Sequence, residues 1–186
     1  EGIVDGDSDK QPAYNEIVTN KKLKWKTYNI GFALKKKVLI EGENPFQQGT
    51  SRYIETDTTE TASIKWSPDI PETGEYVVYI SYQSFEDSND ETIYIVSHAG
   101  GTTEFRINQK IGGGTWIHLG KFLFKKGKLK NQFVMISNKA KTSGKIVSAD
   151  AVRFGGGMGI IEREGQISKR AKFIEGARYW LQFAGM

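Results

Sequence analysis

Short stretches rich in β-branched and aromatic residues recur along the middle of the chain, separated by clusters of glycine, lysine and small polar residues. The stretches cover residues 50–56, 60–67, 75–85, 91–98, 101–108, 116–124, 131–138 and 145–154. Within 101–108 the alternation is regular, with Thr103, Phe105 and Ile107 on one side of the predicted strand. Eight short strands with no helical pattern between them predict an all-β fold, an antiparallel β-sandwich of jelly-roll type.

The two ends of the chain differ from this middle. Residues 1–40 are polar and contain one or two short strand patterns, so we expect an N-terminal extension or linker before a sandwich at 41–155. Residues 156–186 open with a glycine-rich linker, and apolar residues then recur at helical spacing, which predicts an amphipathic helix over 172–184. The apolar stripe of that helix needs a partner, either the sandwich or a neighbouring domain. The chain begins with Glu1 rather than Met, and we interpret it as part of a longer polypeptide.

Composition excludes several classes of function. Of the 186 residues 38% are hydrophobic, which is enough for one core and excludes disorder as the main state. No apolar run approaches the roughly 20 residues that a bilayer demands. The chain has no cysteine, which excludes disulfides, thiolate metal sites and cysteine nucleophiles. Its two histidines, His98 and His118, stand in no catalytic or zinc-binding pattern. We therefore expect no catalytic residues in this chain and no enzymatic activity of its own.

The charge of the chain is mildly positive. It carries 26 basic and 22 acidic side chains, a net charge of +4. The lysines fall in short clusters near turns and strand ends, as in Lys35–Lys37 and Lys125–Lys130. A nucleic-acid-binding face would be larger and more continuous, so we expect no nucleic-acid partner. Lysine at sheet edges and hairpin tips keeps a sandwich soluble, and attraction to an anionic polysaccharide stays open.

Asp150 is the most informative polar residue of the sequence. It shares strand parity with Ile146, Val152 and Phe154, which places its carboxylate on an apolar face. An ionised carboxylate there must accept hydrogen bonds, pair with a cation or bind a metal. We favour a hydrogen-bonded aspartate that fastens a terminal strand to a loop. The alternative is a structural calcium, with Glu41 and Glu43 as the acids expected beside Asp150.

Aromatic residues near strand ends offer flat faces on which sugar rings can stack. The candidates are Trp66, Trp116, Tyr79, Tyr82 and Phe85. Packing in the core is the default role for each of them, because Trp and Tyr usually fill sandwich interiors. Trp116 directly follows the glycine loop 112–114, so we expect it to be the most accessible.

Several phrases, in a fixed order, carry a resemblance to a known family. They are Trp66-Ser67-Pro68-Asp69-Ile70-Pro71, Gly74-Glu75-Tyr76, His98-Ala99-Gly100-Gly101, Asn108-Gln109, Trp116 with Leu119-Gly120, and Ala149-Asp150-Ala151-Val152-Arg153-Phe154-Gly155. On these residues, the stretch from Glu41 to Phe154 resembles the golvesin C-terminal or xanthan-lyase-type accessory domain. More distantly it is similar to jelly-roll carbohydrate-binding modules. In some of those modules an aspartate near the end helps to hold a structural calcium, which the resemblance places on Asp150.

The flanks extend this resemblance. Asn44-Pro45-Phe46 and the stretch from Glu175 to Gln182 look like secreted Bacteroidetes-type proteins. In these the domain accompanies a catalytic domain described as an N-acetylmuramoyl-L-alanine amidase or a xanthan lyase. The resemblance implies that residues 156–186 are a linker and a helix that belong to a truncated neighbouring catalytic domain. It also implies a parent protein that is a hydrolase or lyase and is secreted, on the cell surface or periplasmic.

Taken together, these observations favour a non-catalytic accessory domain that binds polysaccharide or peptidoglycan, as a monomer, beside the active site of its parent enzyme. The contact surface is expected to combine stacking rings with hydrogen-bonding groups, and the candidates are Trp116, Tyr82, Gln109 and His118. The alternative is a rigid spacer that docks on its own catalytic domain and binds no glycan.

Overall fold

The structure, a computed structural model, describes residues 2–5, 13–33 and 40–155. It contains twelve strands: β1 (Gly2–Asp5), β2 (Tyr14–Val18), β3 (Lys26–Tyr28), β4 (Ser51–Glu55), β5 (Ala62–Trp66), β6 (Gly74–Ile80), β7 (Thr92–His98), β8 (Gly101–Ile107), β9 (Ile117–Phe124), β10 (Phe133–Ser137), β11 (Ile146–Ala149) and β12 (Ala151–Phe154). One 3-10 turn, Pro45–Gln47, lies between β3 and β4. The helix predicted over 172–184 and the linker before it lie outside the described residues.

The strands form three sheets in which every strand pair is antiparallel. Their strand orders are β1-β12-β6-β9, β2-β5-β10-β7-β8 and β11-β4-β3. The prediction of an all-β antiparallel sandwich is confirmed. Within the described residues no helix is long and apolar enough to cross a membrane.

The segment before residue 41 contributes to all three sheets. Strand β1 pairs with β12, β2 with β5, and β3 with β4. The segment predicted as an N-terminal extension therefore supplies three strands to the sandwich. These strands are three to five residues long and partly polar, so their alternation is too brief to identify them from the sequence alone.

The core lies between the sheets and follows the two-residue period of the strands. On β6, Tyr76, Val78 and Ile80 are buried, and on β10 Val134 and Ile136 are buried. Aromatic side chains complete this core, with ring centroids 6.1 Å apart for Tyr76 and Phe124 and 5.5 Å apart for Phe124 and Phe154, both pairs edge to face.

Asp150 marks the point at which the chain passes from one sheet to another. The stretch 145–154 was expected to be one strand, but β11 pairs with β4 and β12 pairs with β6. At the junction the Asp150 N–H donates to the Ser81 carbonyl at 3.2 Å, and the Ser81 N–H donates to the Ala151 carbonyl at 2.8 Å. The end of β6 is therefore bonded to the residues on which the chain changes sheets.

Candidate functional site

The four-stranded sheet has one side that faces away from the core, and we call this side the outer face. Its outward side chains come from three neighbouring strands: Glu75, Val77 and Tyr79 on β6, His118, Lys121 and Leu123 on β9, and Arg153 on β12. These side chains are half-buried or exposed, whereas the alternate residues of the same strands point into the core. The face therefore combines rings, cations and one carboxylate that contacts Lys121, Nζ to Oε2 3.1 Å.

Arg153, Tyr79 and His118 form a row across three strands. Tyr79 is paired with Arg153 on one side and with His118 on the other. The ring centroids of Tyr79 and His118 lie 5.3 Å apart, and the Arg153 Cζ lies 5.8 Å from the Tyr79 ring centroid. The Arg153 Nε donates to the Gly155 carbonyl at 3.1 Å, which fixes the direction of the guanidinium. Such cross-strand pairs present a pre-ordered mixture of rings and hydrogen-bond donors.

A β-bulge places His118 in this row. The register of β6 and β9 shifts between Val78 and Tyr79, where Leu119 is buried and Gly120 has a φ of 149°. Uninterrupted alternation would put His118 on the same side as Phe122, which packs against the core. The extra residue reverses this, so that His118 faces outward beside Tyr79.

Trp116 extends the row at the end of the sheet. Its ring centroid lies 4.9 Å from that of Phe32 and 5.5 Å from that of Phe46, and the Arg153 Cζ lies 5.9 Å from the Trp116 ring. Phe32 is 3% exposed, whereas Trp116 and Phe46 are half-buried. Trp116 is therefore held against a buried ring while part of its surface reaches solvent.

Two of the four predicted contact residues lie inside the fold instead. Tyr82 is 2% exposed, and its hydroxyl donates to the Ile111 carbonyl at 2.7 Å. Burial raises the pKa of this hydroxyl. Gln109 is fully buried; its amide accepts from the Ser148 N–H at 2.9 Å and donates to the Ser148 carbonyl at 2.7 Å. Gln109 thus acts as a strand partner for β11, and neither side chain belongs to the outer face.

The structure also adds residues that the sequence analysis left out. Arg153 alternates out of phase with the buried Val152 and Phe154, which is the signal by which its outward direction could have been recognised. Phe32 and Phe46 carry no such signal, because each reaches Trp116 through loop packing between residues far apart in sequence.

Asp150 is a buried hydrogen-bond acceptor. It is 3% exposed, and the Phe32 N–H donates to both carboxylate oxygens at 3.0 and 3.1 Å. The Ser81 hydroxyl donates to Oδ2 at 3.0 Å. These bonds agree with the favoured interpretation, an aspartate that fastens a terminal strand to a loop.

The other two predicted calcium ligands, Glu41 and Glu43, lie in the loop before the 3-10 turn. Glu41 is exposed, and Glu43 Oε2 accepts from the Ile40 N–H at 3.0 Å. In the described part of the chain no three His, Asp or Glu side chains form a group that could hold a metal ion. Calcium takes six or more oxygen ligands, and a structural calcium at Asp150, Glu41 and Glu43 stays a prediction.

Comparison with known proteins agrees with this fold. The sequence profile of the Golvesin C-terminal domain matches residues 41–156. Over 96 residues the chain is 36% identical to a protein named xanthan lyase from Bacillus sp. (strain GL1); this match covers 50% of the chain and 10% of that protein. The chain thus spans about a tenth of that relative.

The solved structure of a xanthan lyase gives the same result for the fold. Paenibacillus xanthan lyase superimposes with a TM-score of 0.58 at 24% identity, covering 82% of this chain and 12% of that one. The CBM22-1 xylan-binding domain of Xyn10C from Paenibacillus barcinonensis superimposes with a TM-score of 0.44 at 9% identity, covering 87% and 94%. The resemblance of this stretch to the golvesin C-terminal domain is confirmed, because the family profile covers more than half of the residues. The chain belongs to the Golvesin C-terminal domain family.

Proposed function

We propose that this domain is a non-catalytic accessory domain that binds polysaccharide and holds it near the active site of a longer, exported enzyme. The proposed contact surface is the outer face together with the adjoining Trp116, and its binding residues are Trp116, Tyr79, His118 and Arg153. The observation that carries the proposal is the continuous arrangement of these four side chains across β12, β6 and β9 and the loop before β9.

The chemistry of these groups suits a sugar polymer. Trp and Tyr rings stack on the apolar faces of pyranose rings, while Arg and His donate hydrogen bonds to hydroxyl groups. Phe32 and Phe46 pack against Trp116, and Gly155 fixes Arg153, so little side-chain freedom is left to lose on binding. An extended polymer can follow the row across the strands and contact several of these groups at once.

The choice of polymer comes from the relatives. A protein named xanthan lyase is 36% identical over 96 residues, so xanthan is the first polymer to test, and peptidoglycan is the second because of the resemblance noted in the sequence. Both polymers lie outside the cytoplasm, which agrees with a secreted, cell-surface or periplasmic parent. A bound polymer stays at high effective concentration for the neighbouring catalytic domain, and this is how an accessory domain raises turnover.

Affinity electrophoresis through gels that contain xanthan, or a pull-down on insoluble peptidoglycan, tests the proposal. We expect the chain to be retained by one polymer, and Trp116→Ala and Tyr79→Ala to lose most of that retention. Tyr53→Ala is the matched control, because Tyr53 is also half-buried on an outer sheet face with a cation, Lys26 Nζ, 5.8 Å from its ring. Retention of Tyr53→Ala should equal that of the unsubstituted chain.

The opposite result supports the spacer alternative. If neither polymer retains the chain, or if Trp116→Ala, Tyr79→Ala and Tyr53→Ala all behave as the unsubstituted chain does, the outer face is not a polysaccharide-binding surface. The domain would then serve as a rigid connection to its catalytic neighbour.

A further inference from the structure

The carboxylate of Asp150 lies where a charge is costly. It is 3% exposed and stands at the junction between β11 and β12, among buried neighbours that include Ala149, Ala151 and Val152. A buried carboxylate is tolerated when donors satisfy it, and removing its partners or the charge itself has large effects. The identity of those donors therefore indicates what the charge holds in place.

The donor that contacts both carboxylate oxygens belongs to a segment without strand pairing. Phe32 lies between β3 and the 3-10 turn, and its N–H donates to both oxygens of Asp150. The neighbouring bonds of this segment, Ala33 N–H to the Pro45 carbonyl at 2.8 Å and Gly49 N–H to the Gly31 carbonyl at 3.0 Å, join it to another loop. The bond to Asp150 ties the segment to the junction between two sheets.

The side chain of the same residue supports Trp116. The Phe32 ring centroid lies 4.9 Å from that of Trp116 and 5.4 Å from that of Phe46. A shift of the Phe32 backbone would therefore move the ring on which Trp116 rests. The hydroxyl of Ser81, the residue that follows β6, donates to the same carboxylate, so the support of Trp116 is also bonded to the chain directly after the strand that carries Tyr79.

We infer that Asp150 is a positioning residue of the polysaccharide-binding surface: through the Phe32 backbone it holds Trp116 in the orientation that accepts a sugar ring. This inference rests on the proposed function for the role of Trp116 in binding. The orientation of Trp116 can be measured without any ligand, so an experiment can contradict this inference and the proposed function independently of each other.

The expected effects follow from the geometry. Asp150→Ala leaves the Phe32 N–H and the Ser81 hydroxyl without their acceptor, so Trp116 loses its fixed support and polysaccharide affinity falls about tenfold or more. Asp150→Asn keeps one acceptor oxygen but turns an amide N–H₂ toward one of the two donors. We expect it to weaken binding by a smaller factor, about threefold.

The experiment uses the full chain labelled with 5-fluorotryptophan, which gives one fluorine resonance for each of the 4 tryptophans. Trp116→Phe assigns the resonance of Trp116. In Asp150→Ala we expect that resonance to shift and broaden, at a temperature at which circular dichroism shows every variant to be folded. Affinity for xanthan or peptidoglycan is measured on the same samples.

Asn138→Ala is the matched control. Asn138 is also a fully buried side chain that holds a loop, accepting from the Thr61 N–H at 3.0 Å and the Ala62 N–H at 2.8 Å. We expect Asn138→Ala to lower stability while leaving the Trp116 resonance and the affinity unchanged. A general loss of stability would change the Trp116 resonance and the affinity in both variants, whereas a positioning role changes them in Asp150→Ala alone.

An unchanged Trp116 resonance in Asp150→Ala would overturn the inference, as would equal changes in Asn138→Ala. If Asp150→Ala fails to fold, Ser81→Ala and Asp150→Asn decide the question, because each keeps part of the network; an unchanged Trp116 resonance in both overturns it. If the unsubstituted chain binds no polymer, the proposed function fails, and the resonance of Trp116 still decides whether Asp150 positions it.

Discussion

Arg52 on β4 and Glu16 on β2 form a two-pronged ion pair that joins the three-stranded sheet to the five-stranded sheet. The distances are 2.6 Å from Nε to Oε1 and 3.0 Å from Nη2 to Oε2. The Tyr14 hydroxyl donates to the same Oε1 at 2.7 Å, and the Arg52 Nη2 also donates to the Trp25 carbonyl at 3.0 Å. The N-terminal segment is therefore fastened to the sandwich by charged side chains as well as by strand pairing.

Replacing Arg52 by Met should lower the free energy of unfolding by about 1–3 kcal/mol, because it leaves the half-buried carboxylate of Glu16 without its charged donor. Urea denaturation measures this change. Lys110→Met is the control, since Lys110 pairs with Asp90 at 3.7 Å on an exposed surface and should change stability by less than about 0.5 kcal/mol. Equal effects of the two substitutions would show that the Arg52–Glu16 pair contributes no more to stability than an exposed ion pair does.

Deleting residues 1–40 should destabilise the sandwich severely, although the family profile begins only at residue 41. The deletion removes one strand from each sheet and exposes the edges of β12, β5 and β4. Compared with the full chain, we expect a melting temperature lower by at least about 10 °C, or no cooperative transition. A truncated chain that melts at the temperature of the full one would mean that these strands contribute little.

The protein should lose stability in alkaline solution. Burial raises the pKa of the Tyr14, Tyr82 and Tyr94 hydroxyls above the ordinary value of about 10. The folded state favours the protonated form of each hydroxyl. Their contribution to the free energy of unfolding is therefore complete below pH of about 10 and is lost as the pH rises above it. Urea unfolding between pH 8 and 12, with tyrosinate absorbance followed in parallel, measures this.

We expect the free energy of unfolding to be constant below pH of about 10 and to fall steadily above it. The buried hydroxyls should ionise only as the chain unfolds. If all tyrosines ionised near their ordinary pKa while the chain stayed folded, these hydroxyls would not be buried as described.

Gly31→Ala should destabilise the fold by about 2–3 kcal/mol, through overpacking. A Cβ at Gly31 would overlap the carbonyl group of Thr50, whose backbone lies directly against it. Gly100→Ala is the matched control, because its Cβ would lie 3.2 Å from the side chain of His98, at an exposed turn. Thermal unfolding of both variants measures the difference; equal melting temperatures would contradict the close approach of Gly31 to β4.

The sequence predicted the strands of the core and missed the connections between sheets. Strand β6 lies where the stretch 75–85 predicted a strand, because the two-residue period of its buried residues, Tyr76, Val78 and Ile80, is a local pattern. The change of sheet at Asp150 was missed, since the buried pattern of 145–154 continues across the junction. The choice of which strand pairs with which is a long-range property that no local pattern contains.

The candidate site was predicted in part for the same reason. Trp116 and His118 were identified and lie on or beside the outer face. Tyr82 and Gln109 were expected there but are buried. Tyr82 is bonded to Ile111 and Gln109 to Ser148 on β11, and no local pattern shows these contacts between residues far apart in sequence. Phe32 joins the site through a contact with Trp116 and a bond to Asp150, both between residues distant in sequence.

Mapping of bound oligosaccharide by heteronuclear NMR tests the central claim most directly. Backbone and side-chain resonances are followed while fragments of the retained polymer are added. The account predicts shifts concentrated on Trp116, His118, Tyr79 and Arg153, with little change on β8 at the edge of the five-stranded sheet. Shifts concentrated on β8, or an unchanged spectrum at saturating oligosaccharide, would contradict it.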